Sequence, residues 1–157
     1  MRRKAGTGVG TLYFTLMLLT VGLLLLIIGM AFSSAHTAYN ALSSAAQEAA
    51  WSGQAQIKIT SVNNGGNQGY FDAGLVNGEV SAAVQQTWQA NIQSMALTHV
   101  FSNLKAADVI QNNQVLVTAS GDFPVPFLTQ ALGMVFNGKY AQAFTIPMQV
   151  TAQGAST

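Results

Sequence analysis

The sequence predicts an α+β protein: a long N-terminal transmembrane helix extending into a small antiparallel sheet domain covered by a helix. No Asp, Glu, Lys or Arg lies between Lys4 and Glu48, and Leu12–Phe32 is nearly continuous hydrocarbon. Beyond it, small residues recur at spacings of three and four, the pattern of a packed helix face. Farther on, alternating apolar and polar runs read as strands, with an apolar stripe at helical spacing among them.

The first element is the membrane segment. Leu12–Phe32 is 21 residues, and as a helix it spans roughly 31 Å, the thickness of a hydrocarbon core. Thirteen of these residues are Leu, Ile, Val or Phe. At about −0.3 to −0.6 kcal/mol each near the bilayer centre, they make insertion favourable by several kcal/mol. A cleaved secretory signal with its site at Ser33-Ser34-Ala35 is the competing reading, but the apolar run exceeds the roughly 7–15 residues of a signal peptide. Arg2, Arg3 and Lys4 precede the run, which predicts a cytoplasmic N-terminus and an extracytoplasmic C-terminal part.

The second element is the extension. Ile28, Ala31, Ala35, Ala38, Leu42, Ala45, Ala49 and Ser52 form a heptad-like seam, rich in alanine, that suits close helix–helix packing. The alternative is that the seam packs on the chain's own domain. No proline occurs before Pro124, so the helix is expected from about Thr11 to Trp51, with Gly53 as its stop. This divides the chain into 1–53, the basic start and long helix, and 54–157, the α+β domain.

Within the second part, Gln54–Val62 is expected as a first strand, from the alternation of Ala55, Ile57 and Ile59. Asn63–Gly69 reads as a polar loop. Asn77 is placed as a helix cap ahead of the stripe Val80, Val84, Trp88, Ile92 and Met95, with Gln85, Gln86, Gln89 and Asn91 largely off it. Leu97, Val100, Phe101 and Leu104 extend this helix or start a short one. Val115, Val117 and Ala119 mark a second strand, and Phe127–Phe136 a short apolar helix. Phe144–Ala152 is the cleanest strand, and Pro147, which has no N–H to donate, assigns it to a sheet edge.

Composition narrows function. Only 7% of residues are charged, against roughly 25% in typical soluble domains. After position 4, three Lys face five acids, so no broad basic patch for nucleic acid is expected. The absence of cysteine excludes disulfides, zinc-thiolate sites and thiol nucleophiles. The two histidines, His36 and His99, and the acids Glu48, Asp72, Glu79, Asp108 and Asp122 stand singly, without the spacing of a carboxylate pair or a metal site. No catalytic centre, cofactor site or metal site is expected.

The entry GVGTLYFTL (Gly8–Leu16), the extension ALSSAAQEAA (Ala41–Ala50), and the tail VLVTASGDFPVPFL (Val115–Leu128) with its FTIPMQVTA strand resemble the TadE/TadG-like pseudopilins of tight-adherence pilus systems. The resemblance implies a structural, non-enzymatic subunit of a pilus-like surface filament, assembling through its long helix with copies of itself or related pilins. It also implies a processing site at Gly8 and Val9. One departure is the glutamate that pilin-like proteins carry five residues after that site; Tyr13 stands there. A monomeric, membrane-anchored envelope protein that binds a partner through its outer domain is the second expectation.

Overall fold

The computed structural model describes residues 7–63, 73–112, 114–125 and 145–154. Three helices come first: α1 (Thr7–Asn63), α2 (Ala73–Ser94) and the single turn α3 (Leu97–Val100). A three-stranded sheet follows, from β1 (Ser102–Gln111), β2 (Gln114–Pro124) and β3 (Thr145–Gln153). The sheet is antiparallel throughout, in the order β1-β2-β3.

The 57 residues of α1 make a rod roughly 85 Å long. It does not stop at Gly53, and Gln54–Val62 is not a strand. The helical reading wins there because Ala46, Ala50, Gly53, Gln54 and Ile57 all fall on one buried face, at spacings of three and four. The alternation of Ala55, Ile57 and Ile59 overlaps that pattern at Ile57 alone among residues found buried. Gly53 serves close approach instead of termination. A Cβ built on it would lie 2.6 Å from Val84 Cγ2 and 3.1 Å from Val115 Cγ1, so α1, α2 and β2 converge where it has no side chain.

α2 starts four residues ahead of the expected cap, which places Asn77 inside the helix and exposed. The apolar stripe is where periodicity put it. Val80 and Val84 are fully buried, and Trp88 and Ile92 nearly so. Asn91, expected off the stripe, is buried beside it and donates from Nδ2 to the Ala45 carbonyl at 3.4 Å, tying α2 to α1. Leu97–Val100 is a separate short helix, entered through Ala96 in the left-handed region at φ 50°.

The first strand of the sheet is Ser102–Gln111, not the stretch at 54–62. Its inward positions are Leu104, Ala106, Asp108 and Ile110, each half-buried. Asp108 accepts a bond from Ser81 Oγ of α2 at 3.1 Å, which is how a carboxylate sits on the covered face. Gln111 pairs with Gln114 across a two-residue connection that begins with Asn112 at φ 51°, a conformation asparagine tolerates. On β2, Val115, Val117, Ala119 and Phe123 point into the core, and Phe123 meets Phe101 edge to face with centroids 5.9 Å apart. Among the described residues β3 pairs with β2 alone, so Pro147 sits on an edge strand of the described sheet. Phe144 and the apolar stretch Phe127–Phe136 lie outside the described residues.

α1 packs along β2 and β3, while α2 lies against α1 and touches β1. The far end of the sheet is pinned to α1 by polar bonds. Gln54 Oε1 accepts from the Val115 N–H at 3.0 Å and Gln47 Nε2 donates to the Gln153 carbonyl at 2.8 Å, while Gly154 N–H ties the end of β3 to the Val115 carbonyl of β2 at 2.8 Å. A Cβ on Gly154 would stand 2.7 Å from Gln54 Cβ and 2.8 Å from the Ala50 carbonyl oxygen. The oxygen belongs to helix backbone and cannot swing aside. Gly154→Ala is therefore expected to destabilise the domain by about 1–3 kcal/mol, read as a lowered melting midpoint in mild detergent.

Candidate membrane and assembly surface

α1 divides by what surrounds it. From Gly10 to Phe32 nearly every side chain is exposed, including Leu12 at 65%, Leu19 at 68% and Phe32 at 77%. A contiguous exposed apolar surface of this size marks a membrane or protein contact. The helix is long and apolar enough to cross a membrane. Its polar side chains are satisfied within the helix: Thr15 Oγ1 donates to the Thr11 carbonyl and Thr20 Oγ1 to the Leu16 carbonyl, both at 2.8 Å. Such back-bonding lowers the cost of placing these two threonines in hydrocarbon.

Above Phe32 the environment changes within two turns. Ser33, Ser34, His36 and Thr37 follow in quick succession, Thr37 Oγ1 bonding the Ser33 carbonyl at 3.0 Å and His36 Nε2 lying 3.2 Å from Asn40 Nδ2. From Ala38 onward one face of α1 is core.

The seam is split by this change. Ile28 is exposed, and Ala31 and Ala35 are half-buried. Ala38, Leu42, Ala45 and Ala49 are buried against the chain's own α2 and sheet, and Ser52 is half-buried. The upper seam is therefore covered by the chain's own α2 and sheet, and alanine suits it because both press on α1 there. A parallel ridge, Ala46 and Ala50, lies off the heptad spacing and is equally buried. Gly8 and Val9 lie in the first turns of α1.

Where the two regimes meet, β2 ends and β3 begins. Val125 and Ile146 stand against Ile27, Ile28, Ala31 and Phe32 and enclose an apolar cleft of about 270 Å³. Slightly higher, Ser33, Ser34 and Thr37 line a wider and more polar hollow with His99, Val100 and Pro124.

Among the described residues, no group of three or more His, Asp or Glu side chains could hold a metal ion. His99 is exposed, and Asp122 is engaged by Asn103 Nδ2 at 2.7 Å, Asn103 itself being in the left-handed region at φ 54°.

Comparison with protein-family models, with curated proteins and with solved structures finds no match.

Proposed function

We propose that this chain is a structural subunit of a pilus-like surface filament, or a pseudopilin that primes one. The observation that carries the reading is the continuity of α1: a lipid-soluble rod that runs without a break into the core of a small α+β domain. A subunit of this form waits in the bilayer with its domain outside. On extraction it exchanges lipid for neighbouring helices along the same apolar surface, Gly10 to Ala35. The resemblance of Gly8–Leu16 and Ala41–Ala50 to TadE/TadG-like pseudopilins supports the same reading. The basic residues Arg2, Arg3 and Lys4 favour a cytoplasmic N-terminus.

A second reading is favoured by one specific observation, the burial of the upper seam inside the monomer. A chain whose Ala38–Ala49 ridge is already covered has less surface left for assembly, as a monomeric anchored protein with a partner-binding domain would. Electron microscopy of material sheared from the cell surface, with mass spectrometry of its subunit, separates the two. Filaments containing this chain establish the first. A protein that stays monomeric at high concentration in mild detergent, and is absent from sheared material, establishes the second.

Orientation is tested independently. Because the chain has no cysteine, Val109→Cys on the exposed face of β1 is a unique handle. It is expected to react with a membrane-impermeant maleimide on intact, wall-stripped cells. Labelling only after the membrane is opened would reverse the assignment.

A further inference from the structure

The lower end of the domain meets α1 beside residues that belong to the apolar span. Ile27 and Ile28 fall within Leu12–Phe32, yet they share a cleft with Val125 and Ile146 at the ends of β2 and β3. If hydrocarbon covers α1 as far as Phe32, Ile27 lies about 7 Å below its outer boundary. The domain side chains packed at that level lie at the same depth. The polarity gradient agrees. The cleft around Ile28 and Ile146 is wholly apolar, whereas the hollow just above it adds the Ser33, Ser34 and Thr37 hydroxyls and the His99 ring to an apolar lining of Met95, Leu97 and Phe123. That is the order a bilayer presents, acyl chain below and headgroup above.

We propose that the domain is seated in the outer leaflet, with the Ile27/Ile28/Ala31/Phe32/Val125/Ile146 cleft holding a phospholipid acyl chain. Lipid is the occupant the surface selects, since the cleft is continuous with the exposed hydrocarbon face of α1 and has no polar group to orient a peptide backbone. Its volume suits part of one acyl chain. The adjoining hydroxyls and His99 offer hydrogen-bonding groups at headgroup level. The proposal rests on the membrane-spanning reading of α1 and adds a depth to it.

The test uses the full chain with single cysteines carrying an environment-sensitive fluorophore, in phosphatidylcholine vesicles whose acyl chains bear bromine. Bromine is placed either on the glycerol-proximal half of the chain or near its methyl end. Ile146→Cys replaces a half-exposed side chain at a strand end, so the domain retains its core. Leu24→Cys reports on the span, and Val109→Cys on the outer face of the sheet. The label at 146 is expected to lose most of its emission to the proximal bromine and less to the distal one. The label at 24 should be quenched and that at 109 unaffected.

If 24 is quenched while 146 emits as in water, the span stands and the seating is overturned. If 146 emits as in an apolar site but escapes bromine, protein fills the cleft, either a second copy's helix or residues 126–144 of the same chain, and the lipid assignment is overturned. If 24 also escapes bromine, the span reading fails and the seating fails with it.

Discussion

Ala45→Leu is expected to destabilise the α+β domain in each monomer before any question of assembly arises. Ala45 is fully buried, and its carbonyl oxygen receives Asn91 Nδ2 from α2. A leucine adds three carbons where α2 has no room to yield, at about 1–3 kcal/mol for overpacking. Displacing α2 also loosens the Asn91 bond, for roughly another 1 kcal/mol. Against a total stability of about 5–15 kcal/mol, this is a large fraction. The variant should melt well below the parent in detergent, and its domain should become protease-sensitive. Ala31→Leu lies on the same seam but is half-buried outside the core, and it should leave the melt unchanged. Should Ala45→Leu melt like the parent and fail only in assembly, the burial of the upper seam within the monomer would be refuted.

Paired Leu19→Arg and Leu24→Arg substitutions are expected to abolish membrane integration while leaving the domain folded. Each exchange replaces a favourable residue with one costing about 2.5–3.5 kcal/mol at the centre of a span. Together they cancel the roughly 4–8 kcal/mol that the thirteen Leu, Ile, Val and Phe residues contribute. Both leucines are exposed and touch nothing in the domain core, so the melt should be unaltered. The parent should remain in the pellet after alkaline carbonate extraction and the double variant should be released. A double variant that stays in the pellet would show that lipid is not what holds α1.

The long apolar helix, β2, β3 and the α2 stripe could all be read from the sequence, because each buries or exposes large apolar side chains at one clear period. β1 could not be read in this way. Its inward row is Leu104, Ala106, Asp108 and Ile110, and an aspartate among them breaks the apolar alternation that marks a strand. Only the structure supplies Ser81, the α2 hydroxyl that lets Asp108 lie there. A usable signal was present in Asn112-Asn113, two turn-forming residues between runs of opposite direction. The stretch Gln54–Val62 failed for the reverse reason. Ile57 satisfies both a period of two and a period of 3.6, and the deciding residues, Ala50, Gly53 and Gln54, are too small or too polar to announce a buried face. The seam shows a deeper limit. The spacing of Ala38, Leu42, Ala45 and Ala49 specifies that something packs closely on them, but the partner enters some 40 to 80 residues later, at α2 and β2. Local periodicity cannot distinguish a returning segment of one chain from the helix of another.

Because α1 has no break between Thr7 and Asn63, the part suited to lipid and the part that carries the domain form one stiff body. Ile57 sits about 37 Å beyond Phe32 along the axis. A change in bilayer thickness that tilts the span by about 10° swings that point sideways by about 6 Å. With no joint at the membrane surface to absorb the motion, the domain turns with it. On the membrane-spanning reading proposed above, the molecule is a lever whose short arm lies in lipid: thicker or thinner membranes would present the domain's faces to neighbours at different angles, without any rearrangement inside the fold.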